Sequence, residues 1–391
     1  MSDPKRYRVL MLHNAYQTRG GEEESAESEC RALREAGHEV TYLTAHNDDI
    51  ASWSDKIRAA GTLFWSRSWQ QQVAQELGNK TYDVLHVQNL FPQISPSVYT
   101  AARRVGVPVV QAVRNYRLAC PAATLLREGK PCIDCVGRMV KLPGLRHRCY
   151  RGSASASASI VAANATHKAI GTWQKNVDCY LAVSQYVADV LTKEGMPEEK
   201  ISVKPCFTYQ LTDFGEIDYA DRKDVLFVGR LSEEKGLPLL LEAWCRVAPN
   251  QSKLKIIGDG AIPTDLPANV EFLGKKSARD VQKAMSQAAF VVMPGLWAEP
   301  FGRVAIEAFA QGAPVIATGI GGVANIIENG VNGSLFPRAD ASTLAEVIQE
   351  YISNPNKRRR YGLAARQAYI DFYTPAKNVE YLERVYAQFN A

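Results

Sequence analysis

The sequence predicts an α/β protein made of two domains, each built on a parallel β-sheet. Its 391 residues suggest two domains, at the usual ~100–200 residues per domain. Short apolar runs alternate with helical stretches through the first half of the chain, and again through the second. This alternation is typical of parallel strands joined by right-handed helical crossovers. The composition, with 22% charged residues, excludes a collagen, a coiled coil and a disordered chain.

The first half contains six apolar runs that we predict as strands. They lie at residues 7–13, 38–45, 83–88, 107–113, 178–184 and 201–206. A helix is predicted over residues 22–37, because Gly37 is a residue type that commonly ends helices. The low-complexity tract at 153–159 leads into an apolar helical stretch that starts at Ile160.

The second half repeats the alternation after a polar connection near residue 210. Its predicted strands lie at residues 224–230, 253–260, 269–274, 288–294 and 314–319. One helix is predicted to begin near Gly236 and another near Arg303, and residues 374–389 have the pattern of an amphipathic helix.

These elements predict two Rossmann-like domains that face each other across a central cleft. The first domain is expected at 1–208, with an insertion at about 114–152, and the second at 209–375. The C-terminal helix, 376–391, is expected to pack back on the first domain. In open parallel sheets, ligands bind beyond the carboxyl ends of the strands, so we expect the chemistry in the loops that follow strands.

Two such loops of the second half carry charges that suit a phosphorylated ligand. Arg230 and Lys235 follow a strand, and Gly236 opens the next helix; two cations beside a helix N-terminus form an anion site. Glu299 follows another strand, and Glu307 lies eight residues later, on the first turns of a helix. Its carboxylate can reach a ligand at that helix N-terminus, although the helix dipole also stabilises acids there without any ligand.

The sequence between Arg103 and Arg151 is strongly basic. It contains eleven Lys or Arg against two acids, a balance of 11 − 2 = +9, whereas the whole chain carries +5. Such a field attracts phosphates on nucleic acid, on lipid headgroups or on a substrate, and a solvated basic loop is the alternative.

Four of the eight cysteines fall in this basic region: Cys120, Cys132, Cys135 and Cys149. In a reducing cytosol, a C-x-x-C pair with two further cysteines favours a structural zinc site over a disulfide framework. Buried free thiols are the alternative, and a redox function is the third.

The order of these motifs resembles that of the family 4 retaining glycosyltransferases, which have the GT-B fold. The segment from Glu299 to Glu307 looks like the Glu-x7-Glu signature of this family. FVGRLSEEKG, IIGDG, NVEFLG and GVANIIENG stand in the family order around it, and Gly20-Gly21-Glu22 opens the first helix as in the family. The resemblance covers nearly the whole chain.

The resemblance implies a role for each matched residue. The acid matched by Glu307 holds the donor's ribose hydroxyls, and the acid matched by Glu299 bonds hydroxyls of the transferred sugar. The cations matched by Arg230 and Lys235 bind the diphosphate. Further donor contacts, largely from the backbone, are implied at Gly20, Gly21, Leu273, Gly274, Phe301, Gly302, Arg303 and Val304.

One position departs from the family. After the strand at 107–113, relatives usually have a His near the donor sugar, and here the residue is Arg114. A fixed cation can bind an anionic sugar, a phosphate or the acceptor, but it cannot shuttle protons at neutral pH. Arg114 is therefore expected to contact the donor without acting as an acid or base.

The resemblance further implies a retaining transfer of a hexose from a nucleotide sugar. A UDP-sugar, with glucose as the expected hexose, is the predicted donor, and GDP-mannose is the alternative. The acceptor is expected to be a saccharide or a polyprenyl-diphosphate-linked saccharide in surface polysaccharide biosynthesis. The sequence has no Asp-x-Asp motif, so we expect no catalytic metal, because Arg230, Lys235 and a helix dipole can neutralise the leaving diphosphate.

Two readings of other classes compete with this one. Gly319, Gly321 and Ala324 fit a G-x-G-x-x-A dinucleotide motif, with Asp340 about twenty residues later, but they follow a late strand rather than the first. A nucleic-acid-binding module could use the basic region, although no known recognition motif accompanies it. We therefore expect no nucleic-acid partner.

The chain is expected in the cytoplasm, at the inner face of the membrane. No apolar run reaches the ~18–20 residues of a membrane-spanning helix, and the N-terminus lacks the pattern of a signal peptide. Aromatic residues interleaved with cations suggest an interfacial patch, with aromatic packing beneath a loop as the alternative. Its residues are Trp53, Lys56, Arg58, Phe64, Trp65, Arg67 and Trp69.

Overall fold

The computed structural model divides the chain into two compact units. It describes residues 5–17, 20–47, 61–210, 219, 221–248, 251–262 and 266–389. The first unit comprises Met1–Leu125, Cys132–Pro205 and Pro375–Ala391, and the second comprises Leu126–Pro131 and Cys206–Thr374. The change of unit at 205 lies close to the predicted boundary at 208, whereas residues 126–131 lie with the second unit and not with the first.

The first unit contains a six-stranded sheet whose strands are all parallel. Its strands are β1 (Arg8–Ala15), β2 (Glu39–His46), β3 (Val84–Asn89), β4 (Val109–Val113), β7 (Cys179–Ala182) and β8 (Ile201–Val203). The two-residue strands β5 (Leu126–Arg127) and β6 (Lys130–Pro131) form an antiparallel pair that belongs to the second unit.

Eight helices of the first unit are described. They are α1 (Gly21–Glu35), α2 (Arg67–Asn79), α3 (Ser97–Arg104), α4 (Leu142–Arg146), α5 (Ala154–Ala169), α6 (Thr172–Asn176), α7 (Gln185–Lys193) and, from the C-terminal segment, α13 (Pro375–Ala387).

The second unit also contains a six-stranded parallel sheet. Its strands are β9 (Val225–Val228), β10 (Leu254–Ile257), β11 (Val270–Gly274), β12 (Phe290–Met293), β13 (Val315–Thr318) and β14 (Gly333–Phe336). Its described helices are α8 (Leu237–Arg246), α9 (Ala278–Gln287), α10 (Arg303–Ala310), α11 (Ala341–Ser353) and α12 (Pro355–Phe372).

The strand order fixes where each unit can hold a ligand. The second sheet has the order β11-β10-β9-β12-β13-β14, and the first has the order β2-β1-β3-β4-β7-β8. In the second sheet the direction of winding reverses between β9 and β12, and in the first between β1 and β3. A crevice forms at the carboxyl ends of the strands at such a switch point.

The C-terminal helix α13 completes the core of the first unit. Leu382, Val385 and Tyr386 are buried together with Tyr7 and Val9 of the first strand region. The α13 helix therefore packs on the first unit.

The serine- and alanine-rich tract at 153–159 is helical, although its sequence was predicted only to lead into a helix. Helix α5 starts at Ala154, and the Ser153 hydroxyl accepts a hydrogen bond from the Ala156 N–H at 3.3 Å. Serine is a favoured N-cap residue and alanine has the highest helix propensity, which explains why this low-complexity tract is ordered.

Candidate active site

The loops after β9 and β12 lie at the switch point of the second sheet and bring two predicted residues together. Lys235 Nζ lies 2.8 Å from Glu299 Oε1, and both side chains are half-buried. The Leu296 N–H donates to the carbonyl oxygen of Glu234 at 2.9 Å, which fastens one loop to the other. The Lys235 ammonium also lies 5.6 Å from the centre of the Trp297 ring. An acid and a cation are thus fixed next to each other at the place where the fold can hold a ligand.

Gly236 allows the two loops to approach this closely. Its φ is +75°, and a Cβ at this position would lie 1.9 Å from the carbonyl oxygen of Pro294. No residue with a side chain fits there without moving the backbone.

Helix α10 begins beside Glu299 and carries the second predicted acid. Its N-cap is Gly302, with φ +106°, and no side chain caps the helix. An N-terminus of this kind directs backbone N–H groups and the positive end of the helix dipole toward a ligand. Glu307 lies one turn after Arg303, with Arg303 Nη2 at 3.5 Å from Glu307 Oε1.

Arg230 differs from Lys235 in its surroundings. Its side chain is 71% exposed and lies 3.2 Å from the Glu234 carboxylate. An exposed pair of this kind contributes little to stability, so the guanidinium can move to a ligand at small cost.

The remaining predicted donor positions of this unit lie at the end of β11 and around the start of α10. Leu273 and Gly274 end β11, and the Gly274 carbonyl accepts a hydrogen bond from the Gly258 N–H at 3.1 Å. Phe301 is buried, with its ring 6.2 Å from that of Tyr373. Val304 follows Arg303 in the first turn of α10.

The glycine loop after β13 supports the Glu299 loop and is not built as a dinucleotide site. The Gly322 N–H donates to the carbonyl oxygen of Glu299 at 2.6 Å, and a Cβ on Gly321 would lie 2.7 Å from Ala298 Cα. In a dinucleotide site Asp340 would bind the ribose. Here it caps α11 by accepting hydrogen bonds from the N–H and hydroxyl of Thr343. The pattern is therefore explained by packing.

The β5–β6 hairpin also contacts this part of the second unit, which the sequence did not predict. Arg338 donates to the carbonyl oxygens of Gly129 and Leu296, both at 2.6 Å. A Cβ on Gly129 would lie 3.1 Å from the Glu233 carboxylate. Because residues 129 and 338 are far apart in sequence, no local pattern could have predicted the contact.

In the first unit, Gly20 and Gly21 open α1 as expected. The Glu23 carboxylate accepts hydrogen bonds from the N–H groups of Gly20 at 2.8 Å and Tyr16 at 2.9 Å. Glu22 accepts from the Asn115 side chain at 2.7 Å. Burial raises the pKa of Glu22, and the hydrogen bond from Asn115 acts against that rise.

Arg114 lies at the end of β4 and is directed into a buried charge cluster. Its guanidinium donates to the Gln88 side chain and lies 3.5 Å from the Glu29 carboxylate. Lys204 Nζ lies 2.6 Å from the same carboxylate, and His86 Nε2 lies 3.5 Å from it. Burial alone would raise the pKa of Glu29, but Lys204 and Arg114 outweigh it and hold that pKa well below its usual range. In this structure Arg114 therefore balances a buried acid, and a contact with the donor stays a prediction.

The four cysteines of the insertion are all free thiols. Burial raises the pKa of Cys135 to about 11, and the nearby Gly144 N–H acts against that rise. Within the described ranges, no group of three or more His, Cys, Asp or Glu side chains is arranged to hold a metal ion. The zinc site stays a prediction for Cys120, Cys132, Cys135 and Cys149.

A cavity of about 110 Å³, partly open to solvent, lies in the first unit at the carboxyl ends of β3 and β4. Phe91, Leu118, Ile160 and Trp173 form part of its apolar lining. The guanidinium of Arg117 lies 3.9 Å from the centre of the Phe91 ring, and its Nε and Nη1 atoms are buried without a hydrogen-bond partner among the described residues. Such a cavity suits a ligand with an apolar part and an acceptor group.

Two family models match the chain on either side of the change of unit. A model described as Glycosyl transferase 4-like domain matches residues 20–206. A model described as Glycosyl transferases group 1 matches residues 212–368. The chain belongs to the family 4 glycosyltransferases.

This glycosyltransferase has relatives among characterised and uncharacterised proteins. An uncharacterised glycosyltransferase of Methanocaldococcus jannaschii is 31% identical over 195 residues, which cover 48% of this chain and 53% of that relative. The match thus spans about half the length of that relative. An uncharacterised 42.6 kDa protein in the cps region of Klebsiella pneumoniae is 25% identical over 78% of this chain and 83% of that protein.

Among solved structures, the Anabaena protein HepE in complex with UDP and glucose superposes with a TM-score of 0.66. The superposition covers 98% of this glycosyltransferase and 100% of HepE, at 18% sequence identity. At that identity the likeness establishes the fold, which is GT-B. The predicted fold class is therefore confirmed, and the two family models confirm the predicted enzyme class.

The interfacial patch predicted near residue 60 is only partly described. Trp53, Lys56 and Arg58 lie outside the described residues. Trp65 is 41% exposed. None of the described helices is long and apolar enough to cross a membrane.

Proposed function

We propose that this glycosyltransferase transfers glucose from UDP-glucose to a lipid-linked saccharide, with retention of configuration and without a metal ion. The contact between Lys235 and Glu299, at the switch point of the second sheet and beside the start of α10, is the observation that carries the proposal. It holds a cation for a phosphate and an acid for sugar hydroxyls within one small volume.

The chemistry needs positive charge on the side of the leaving group. When the bond between the sugar and UDP breaks, negative charge develops on the diphosphate. Lys235 and the N-terminus of α10 supply preorganised positive charge, which is the most effective form of electrostatic stabilisation, and the exposed Arg230 side chain adds to it by moving to the diphosphate. The acceptor hydroxyl attacks from the side that UDP leaves, and its proton passes to the leaving phosphate oxygen.

The acids act by positioning the donor. Glu299, fixed by Lys235, accepts hydrogen bonds from sugar hydroxyls, and Glu307 accepts them from the ribose. No protein nucleophile takes part in this scheme. The choice of UDP and glucose is supported by HepE, a protein of the same fold that has been solved with both.

The acceptor binds on the first unit in this proposal. The apolar cavity at the ends of β3 and β4, with the buried guanidinium of Arg117 stacked on Phe91, favours a lipid diphosphate over a free sugar. Assembly of a surface polysaccharide is supported by the relative in the cps region of Klebsiella pneumoniae.

Calorimetric titration with UDP, GDP and ADP in the presence of EDTA tests the donor site. UDP should bind, and Glu307→Gln should weaken it about tenfold or more, because a hydrogen bond to a charged group contributes ~1.5–3 kcal/mol. Lys235→Met should weaken UDP binding as well, since a charge facing the diphosphate is lost.

The matched control is Glu346→Gln, a change at an exposed position on α11 of the same unit. It should leave the affinity for UDP unchanged. If GDP binds and UDP does not, GDP-mannose becomes the proposed donor. If Glu307→Gln and the wild type bind UDP equally well, Glu307 does not bind the ribose.

A further inference from the structure

The segment Cys132–Arg151 of the first unit has an unusual distribution of polar and apolar side chains. Four large apolar residues are exposed within ten positions: Ile133 by 65%, Met139 by 52%, Val140 by 43% and Leu142 by 61%. In the midst of them Lys141 is 1% exposed. The charged residue thus points inward and its apolar neighbours point outward.

A buried acid explains why the segment is held in this orientation. The Lys141 ammonium lies 3.0 Å from the carboxylate of Glu194, the C-cap of α7, and Lys168 lies 3.2 Å from it. The Gly137 N–H donates to the same carboxylate at 2.6 Å. Lys168 also donates to the carbonyl oxygens of Gly137 and Arg138.

These contacts hold the apolar residues in their exposed positions. Since Lys141 and the Gly137 backbone are tied to Glu194, the segment cannot turn its apolar side chains inward without breaking a buried ion pair, which is costly. Exposed apolar side chains grouped in this way mark an interaction surface.

The same segment carries exposed cations among its exposed apolar residues. Arg138, Arg146, Arg148 and Arg151 are exposed, and between residues 132 and 152 Asp134 is the one acid in the sequence. The surface therefore combines aliphatic side chains with a positive field.

This combination distinguishes between classes of partner. Single-stranded nucleic acids are bound by cations together with aromatic side chains on which bases stack, whereas the exposed apolar residues of this segment are all non-aromatic. Aliphatic side chains enter the boundary between headgroups and acyl chains, and arginines at the same level pair with anionic headgroups.

We propose that the surface formed by Ile133, Met139, Val140, Leu142, Arg138 and Arg146, called here the insertion surface, docks the enzyme on an anionic lipid bilayer. This goes beyond the proposed transfer reaction and replaces the patch around residue 60 as the expected membrane contact. The aliphatic residues enter the lipid and the arginines hold the headgroups.

Sedimentation of the full chain with vesicles tests the proposal without any transferase assay. The wild type should bind vesicles of phosphatidylcholine mixed with phosphatidylglycerol and bind phosphatidylcholine alone much more weakly. Val140→Gln/Leu142→Gln should lower the partition coefficient about tenfold or more, because apolar area no longer enters the lipid. Arg138→Gln/Arg146→Gln should lower it about twenty-five-fold, at about fivefold per cation.

Val331→Gln and Arg279→Gln are the matched controls, since Val331 is 42% exposed and Arg279 is an exposed arginine, both in the second unit. Both should sediment like the wild type. UDP titration of each variant, expected to be unchanged, separates this proposal from the donor site and checks folding.

Three results would overturn the proposal. They are no binding of the wild type to anionic vesicles, equal binding by the aliphatic variant, and a wild-type dimer in solution that Val140→Gln/Leu142→Gln dissociates. The last result would make the insertion surface a contact between protein copies.

Discussion

At the scale of single residues, Gly236 determines whether the two loops of the proposed donor site can meet. We predict that Gly236→Ala lowers both the free energy of unfolding and the affinity for UDP. The left-handed backbone costs an alanine ~1–2 kcal/mol, and the clash of its Cβ with the Pro294 carbonyl oxygen adds to that cost. Urea unfolding and UDP titration measure the two effects.

Gly330 provides the comparison for this prediction. Its φ is +83°, and a Cβ there would meet the Tyr361 hydroxyl at 3.8 Å, an ordinary contact. Gly330→Ala should therefore show the backbone cost alone. If both variants were equally stable, the close approach of Gly236 to Pro294 would not exist in solution.

The position of the proposed donor-site residues in the fold could be predicted from sequence, because the signals are local, whereas their contacts with a donor stay predictions. Arg230, Lys235 and Glu299 each follow a strand within a few residues, and the carboxyl ends of neighbouring parallel strands lie at one edge. The contact of Lys235 with Glu299 follows from that geometry. The charge cluster around Arg114 could not be predicted in this way. Glu29 and Lys204 lie far from Arg114 in sequence, and no local pattern relates the three residues.

At the scale of elements, α13 is joined to the sheet of the first unit by polar contacts as well as by its apolar face. The Tyr386 hydroxyl lies 2.6 Å from His86 Nδ1. Asn378 accepts a hydrogen bond from Lys204, the same ammonium that pairs with Glu29. An amphipathic pattern predicts that such a helix packs somewhere, but only these buried contacts fix where.

We predict that Lys204→Met destabilises the first unit by about 3–5 kcal/mol, because removing one partner leaves a buried acid with less compensation. The double variant Lys204→Met/Glu29→Gln should recover a large part of this loss. Urea unfolding of the single and double variants gives the coupling between the two residues.

Arg31→Met is the control for this prediction. Arg31 pairs with Glu35 at 2.7 Å on the exposed face of α1, and such pairs contribute below about 1 kcal/mol. A Lys204 variant as stable as Arg31→Met would show that the charge cluster does not matter for folding.

At the scale of the whole molecule, buried histidines determine how stability depends on pH. Burial lowers the pKa of His13 and of His86 from 6.5 to about 4. Between these values the unfolded chain binds protons that the folded protein does not bind. The free energy of unfolding is therefore highest above pH 6.5. It decreases as the pH falls to about 4, by about 3 kcal/mol for each histidine.

Urea unfolding between pH 7 and pH 4.5 measures this dependence. His13→Leu should lower the slope but not abolish it, because burial also lowers the pKa of His86 and of His167, and it removes no hydrogen bond, since both ring nitrogens of His13 lack hydrogen-bond partners among the described residues. His147→Gln, at an exposed position, should leave it unchanged. A free energy of unfolding that is equal at both ends of this range would contradict the prediction.

The division of the chain has a consequence for the order of events during translation. The ribosome releases most of the first unit together with residues 126–131 of the second, then the rest of the second unit, and only afterwards α13, which supplies Leu382, Val385 and Tyr386 to the first unit's core. Until then His86 lacks its contact with the Tyr386 hydroxyl, and Lys204 lacks its hydrogen bond to Asn378. The second unit can therefore reach its native state on the nascent chain while the first, although started earlier, has to wait for α13.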